Sequence, residues 1–182
     1  MATLVITVIG DDRPGLVSSL ADVVAEHGGS WGRSQLAQLA GKFAGIVTVD
    51  VPDARAGGLA EAVGALEGLE TSVQPAGAGE GGAAGEAGEG RTFHLDLVGH
   101  DQPGIVQQIS GVLARQKVSV EALDTRVVPA PQAGGDLFEA RTAFRAPADV
   151  DVDALKRALE ELAQELQVDV TFDAADQAVV WE

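Results

Sequence analysis

The chain contains two copies of one segment, and this duplication limits the folds that are open to it. Residues 3–31 and 92–120 align without a gap at a spacing of 89 residues. The same residue types recur in the same order, as Gly10, Asp12, Pro14 and Gly15 and then as Gly99, Asp101, Pro103 and Gly104. Each copy is longer than one turn of a solenoid and long enough to bury a core of its own. The sequence therefore predicts two tandem domains.

Charge and cysteine content exclude several classes of partner and site. The 182 residues include 12 Lys and Arg against 28 Asp and Glu, and the net charge of −16 repels the phosphate backbone of nucleic acids. The absence of cysteine excludes disulfides and thiolate metal sites and is compatible with a reducing compartment. No apolar run has the length of a membrane span, and no basic leader precedes the first strand pattern. We therefore expect a cytoplasmic protein without direct nucleic-acid or membrane contact.

Hydrophobic periodicity predicts the same six elements in both copies. The first copy begins with a strand that ends at Gly10 and changes to a helical period from Pro14. Two strands, a second helix and a short final strand follow in each copy. The last helix of the chain is entered through Asp149, Asp151 and Asp153, which suit a helix N-terminus. We predict the α+β class, with two tandem ferredoxin-like βαββαβ modules, each a four-stranded antiparallel sheet with two helices on one face.

Composition sets the predicted boundaries. A first domain spans residues 1–75 and a second spans residues 91–174. Between them, residues 76–90 contain seven glycines and three glutamates and no large apolar side chain, so we predict a flexible linker. Residues 175–182 form a predicted C-terminal tail, and the alternatives for the apolar segment ending at Trp181 are an added edge strand, docking on a neighbour or fraying.

The sheet face turned away from the helices predicts association. In the first copy this face carries Val5, Thr7 and Ile9, and such apolar surface is commonly covered by another sheet or subunit. We therefore expect a homodimer or pairing of the two modules within one chain. Trp31, at the entry to a strand, is predicted to fill the edge of the core or an interface.

The turns at residues 10–15 and 99–104 are the strongest candidate sites. The glycine allows a sharp turn, and Asp12 or Asp101 is predicted to cap the first helical amides. The same geometry directs main-chain N–H groups and the positive end of the helix dipole outward. A carboxylate-bearing ligand such as an amino acid fits this description, with its ammonium group bound by the aspartates. The alternative is that the turn only starts a helix, since duplication copies a structural turn as faithfully as a site.

The strand, the Gly-x-Asp-x-Pro-Gly turn and the amphipathic helix, repeated in tandem βαββαβ modules, resemble the ACT domain, a small-molecule regulatory module of amino-acid metabolism. Segments 12–17, 34–37, 120–126, 129–131 and 137–140 look like the two-domain glycine cleavage system transcriptional repressor group. The resemblance implies a non-enzymatic regulator without a cofactor. It implies that an amino acid binds near an interface between ACT modules and that the protein acts through a protein partner, an enzyme or a transcription regulator. By position, the implied ligand-facing residues are Asp11, Asp12, Arg13, Gly15, Leu16, His100, Asp101, Gln102, Gly104 and Ile105.

Two other functions remain open. One is a ligand-free adaptor that uses its sheet faces to bind a protein. The other is a small hydrolase or isomerase using Asp12, His100 and Asp101, although no nucleophile, base and orienting group form a recognisable arrangement. His94 and His100 have no histidine counterparts in the first copy, and three ligands within reach are not evident, so we predict no metal site.

Overall fold

The computed structural model describes residues 1–77, 90–130 and 134–174. The chain divides into two compact units, Met1–Glu86 and Ala87–Glu182. Most of the predicted linker, residues 78–89, and the whole predicted tail, residues 175–182, lie outside the described residues.

The first module has the predicted βαββαβ order. Its elements are β1 (Ala2–Asp11), α1 (Leu16–Glu26), β2 (Ser30–Leu39), β3 (Lys42–Val51), α2 (Asp53–Gly64) and β4 (Leu69–Pro75). The four strands form one antiparallel sheet in the order β2-β3-β1-β4. Ala40 and Gly41, which connect β2 to β3, both have positive φ, 51° and 77°, as a tight two-residue hairpin requires.

The second module repeats this architecture. Its elements are β5 (Gly90–His100), α3 (Ile105–Arg115), β6 (Ser119–Pro129), β7 (Asp136–Pro147), α4 (Val152–Leu166) and β8 (Val168–Ala174). The antiparallel sheet has the order β6-β7-β5-β8, which is the order of the first sheet with every strand number raised by four. Tandem ferredoxin-like modules are therefore the observed fold.

Strand alternation builds the first core. Leu4, Ile6 and Val8 of β1 are buried, whereas Thr7 and Ile9 between and beyond them are exposed. Both helices pack on the same buried side of the sheet, so one face is covered and the other is open. The helix residues that complete this core are Leu16, Leu20, Val24, Leu59 and Val63.

The second core is richer in aromatic side chains. Phe93, Phe144 and Phe172 form a cluster with ring centroids 5.1 to 5.8 Å apart. Asp151 caps α4, because its side chain accepts a hydrogen bond from the Ala154 main-chain N–H at 3.0 Å. The predicted acidic entry to this helix is thus confirmed.

The open faces of the two sheets differ in chemistry. In the first module, Ile9 of β1 and Ile46 of β3 are about half exposed on that face. In the second module, ion pairs join neighbouring strands: Arg141 of β7 with Asp96 of β5 at 3.3 Å, and Arg126 of β6 with Glu139 of β7. The open face of the first sheet is therefore the more apolar of the two, although Val98 is 39% exposed on the open face of the second.

No helix among the described residues is long and apolar enough to cross a membrane.

Candidate functional site

The two strand-to-helix corners have nearly identical backbones. Gly15 precedes α1 with φ 95° and ψ −4°, and Gly104 precedes α3 with φ 94° and ψ 0°. This left-handed conformation strains any residue with a Cβ, which explains why both copies have glycine there. The helices begin one residue later, at Leu16 and Ile105, and not at the prolines, where the sequence placed the change of period.

Each corner presents main-chain donors. The Ser19 N–H donates to the Gly15 carbonyl at 2.8 Å, and the Gln108 N–H donates to the Gly104 carbonyl at 3.0 Å. Each corner closes as a turn at Pro14–Gly15 or Pro103–Gly104, and the remaining N–H groups of the first helical turn have no main-chain acceptor among the described residues. Nothing lies within 4 Å of the position of a Cβ on Gly15. The positive end of α1 is therefore open on this side.

The aspartates of the corners do not cap the helices, which corrects the prediction for Asp12 and Asp101. Neither α1 nor α3 has a side-chain cap. Their main-chain N–H groups instead bind the neighbouring hairpin, Asp12 to the Gly41 carbonyl and Asp101 to the Asp136 carbonyl, both at 2.9 Å. Both residues are exposed, so their carboxylates are not used by the fold.

Arg13 and Gln102 occupy equivalent positions and brace each module internally. The Arg13 guanidinium donates to the Glu67 carbonyl, and the Gln102 amide donates to the Leu166 carbonyl at 2.8 Å. Both carbonyls lie two residues before the last strand of their module. These side chains tie the corner to the end of the second helix, which differs from the ligand-facing position that the resemblance implied for them.

Removing either brace is expected to destabilise its module by a small amount. We expect Gln102→Ala to cost about 1 kcal/mol and the more exposed Arg13→Ala about 0.5 kcal/mol in urea unfolding, the net value of single hydrogen bonds. Gln107→Ala and Arg33→Ala are matched controls that remove the same side chains from exposed positions. Equal midpoints for each variant and its control would contradict the bracing role.

Gly10 and Gly99 lie inside strands and not at the strand ends that the sequence predicted. A Cβ on Gly10 would stand 2.1 Å from the Gly68 carbonyl oxygen, and one on Gly99 would stand 2.3 Å from the Val168 side chain. The contact at Gly10 comes from the loop before β4, and the contact at Gly99 comes from the first residue of β8. Close approach of two chain segments, and not a turn, therefore requires these glycines.

The two corners differ in charge, because Lys42 lies at the first and the uncharged Leu137 lies at the equivalent place in the second. The sequence did not indicate a role for Lys42. It pairs with Asp11 across β1 and β3, whereas Leu137 stands opposite His100 in the second module. The hydrogen bond and the charge of Lys42 lower the pKa of Asp11, and those of Asp11 raise the pKa of Lys42. The pair is therefore fully charged at neutral pH. The ion pair is lost when the pH falls below the lowered pKa of Asp11, and also when the pH rises above the raised pKa of Lys42.

Leu16 and Ile105 are core residues, exposed by 5% and 2% respectively. Only their main-chain atoms can meet a ligand. His94 and His100 share one face of β5, but no three histidine, aspartate or glutamate side chains in the described residues gather as metal ligands do.

Known proteins are similar to this chain in sequence over the first module and in fold over both modules. Residues 2–73 match the ACT domain family. No curated protein sequence matches the chain. A crystal structure of an unknown protein from Galdieria sulphuraria is similar with 28% identity and a TM-score of 0.82, over 96% of this chain and 98% of that one. A protein proposed to be a glycine cleavage system transcriptional repressor is similar with 16% identity and a TM-score of 0.65, over 97% of this chain and 98% of that one.

Proposed function

We propose that the protein is a non-catalytic regulator that binds an amino acid at its corners, because residues 2–73 match the ACT domain family and the second module repeats the fold of the first. The observation that carries this proposal is the start of each helix beside an exposed aspartate, with open space next to Gly15 at α1 and the Gln107 and Gln108 side chains next to Gly104 at α3. An α-carboxylate would bind the free main-chain N–H groups, and the α-ammonium group would bind Asp12 or Asp101.

The proposed ligand contacts differ from the set implied by the resemblance. We retain Asp11, Asp12, Gly15, His100, Asp101 and Gly104, together with the main-chain N–H groups of Leu16 and Ile105. Arg13 and Gln102 are left out because their donors bind carbonyls of their own module. Lys42 joins the first corner, where its charge favours a carboxylate more than the uncharged Leu137 does in the second.

The regulatory action is proposed to pass through a protein partner. A ligand shifts association only if it binds one arrangement more tightly than another, so we propose that the occupied corner lies near an interface between ACT modules, within one chain or across a dimer. We propose an enzyme or a transcription regulator as the partner class, which is the class that the resemblance of the sequence implied.

A thermal-shift screen against the common amino acids, followed by calorimetry at millimolar concentration, tests the proposal. A ligand that binds only the native protein must raise the melting temperature. For the amino acid with the largest shift, we expect Asp12→Asn or Asp101→Asn to weaken binding about tenfold, equivalent to about 1.4 kcal/mol. Asp22→Asn is the matched control, since Asp22 is an exposed aspartate farther along α1.

Two results would count against the sensing role. One is the absence of any thermal shift or heat across the whole panel. The other is equal weakening by Asp12→Asn and Asp22→Asn, because binding would then depend on overall charge and not on the corner.

A ligand-free adaptor is the second candidate, and the half-exposed Ile9 and Ile46 on the open face of the first sheet favour it. A stable protein partner whose affinity is unchanged by every amino acid, and is lost in Ile46→Glu, would support the adaptor instead.

A further inference from the structure

The second module has an apolar groove between α3 and the edge strand β6. Val106 on α3 and Val120 and Leu123 on β6 are 42%, 43% and 49% exposed along it. The groove reaches inward to Phe138 and Thr142 and encloses a cavity of about 30 Å³, which opens to solvent. We call this surface the α3–β6 groove. Three large apolar side chains at this exposure on one surface are costly unless something covers them.

The first module shows how the equivalent place is filled. Trp31 of β2 pairs with Val49, which pairs with Leu4 of β1, and Val120 of β6 pairs with Phe144, which pairs with Phe93 of β5. Trp31 and Val120 are thus equivalent both in register and in the 89-residue repeat. Trp31 packs against the core of its module, as predicted for an aromatic at the core edge. The second module has only a valine at this place.

The floor of the groove contains a buried polar side chain. Thr142 is 6% exposed and is the buried polar residue among the described residues. An occupant with a flat apolar ring and one N–H donor would cover the apolar walls and pair with the Thr142 hydroxyl. Tryptophan is the side chain with this combination.

We propose that Trp181 of the same chain docks in the α3–β6 groove. Ala174 at the end of β8 lies in one row of the sheet with Phe93, Phe144 and Val120, three strand spacings or about 14 Å from the groove. Trp181 follows Ala174 by seven residues, which can span about 23 Å when extended. The extended reach therefore exceeds the straight-line separation of Ala174 from Val120 by about 9 Å, which is the length that a path around the end of α3 can use.

Charge favours this path. Arg115 and Lys117 lie exposed at the end of α3, on the side where β8 ends and β6 begins, and neither has an ion-pair partner in the ranges 1–77, 90–130 and 134–174. Asp176 and Glu182 flank the apolar segment that contains Trp181. In a chain with a net charge of −16, two unpaired cations beside the groove attract this acidic segment.

Tryptophan fluorescence tests the docking directly, because the chain has two tryptophans and no tyrosine. In a Trp31→Phe background, all emission comes from Trp181. Acrylamide is the quencher, since a neutral molecule is not repelled by the acidic protein. We expect Trp181 to be quenched at least threefold less efficiently than N-acetyl-tryptophanamide. Leu123→Glu in the groove should restore quenching to the value of the free compound.

Val98→Glu is the matched control, because Val98 is 39% exposed on the opposite face of the same sheet. It should leave Trp181 protected. Val106→Glu provides a second groove variant if Leu123→Glu fails to fold by circular dichroism. The difference in emission between the wild type and Trp181→Phe gives the same measurement without the Trp31 substitution.

Three outcomes would overturn the proposal. Trp181 could be quenched as freely as the model compound in the parent protein, or its protection could survive both groove variants. Protection that disappears on dilution would show instead that the groove receives a second copy of the chain. None of these results bears on amino-acid binding at the corners, so this proposal and the proposed function fail separately.

Discussion

Replacing Phe144 with alanine is expected to lower the free energy of unfolding of the second module by about 4 kcal/mol. Phe144 is fully buried, and its ring lies 5.7 Å from that of Phe93 and 5.8 Å from that of Phe172. The substitution removes the transfer free energy of the ring and leaves a cavity between β-sheet and helices. Urea unfolding followed by circular dichroism measures the loss, and hydrogen exchange locates it.

The control for this variant is Phe172→Ala. Phe172 belongs to the same cluster but is only partly buried, so its truncation should cost less than that of Phe144. Because the two cores share no residue, lost exchange protection should be concentrated in β5 to β8. A cost below 1 kcal/mol, or equal loss of protection in β1 to β4, would contradict this description of the second core.

Gly10→Ala is expected to destabilise the first module by about 3 kcal/mol, although it adds a single methyl group. The new Cβ would stand 2.1 Å from the Gly68 carbonyl oxygen, and both groups are fixed by the main chain. No side-chain rotation can relieve the overlap, so β1 or the loop before β4 must move. The change in the urea midpoint measures the cost.

Gly57→Ala makes the same chemical change where space is free, since nothing lies within 4 Å of a Cβ at that position in α2. This control should stabilise the module, by up to about 1 kcal/mol, because alanine has the higher helix propensity. Opposite signs for the two variants are the expected result. If Gly10→Ala is neutral, the loop before β4 does not lie against β1 as described.

The repeat and the hydrophobic periods were sufficient to predict the tandem fold. Buried Leu4, Ile6 and Val8 alternate with exposed neighbours as the sequence indicates, and the acidic cap of α4 is where local rules place it. These features depend on residues close together in the chain. Local physical rules therefore carry most of the information about element type and order.

Features of the corner that depend on distant segments could not be predicted. The partner of Arg13 is the Glu67 carbonyl, 54 residues away, and the contact that requires Gly10 comes from Gly68. The expected caps at Asp12 and Asp101 were wrong because the hairpin loop holds this part of the chain through its main chain instead. Lys42 was missed for the same reason, since only strand register brings it opposite Asp11.

The bond from Arg13 to the Glu67 carbonyl has a mechanical consequence. It joins the start of α1 to the chain just before β4, and Gln102 makes the same connection in the second module. A displacement of either corner therefore acts directly on the start of β4 or β8, the outer strands of the two sheets, and does not depend on movement of the core. A small molecule that displaces the corner must break this hydrogen bond or move the start of β4 or β8 with it.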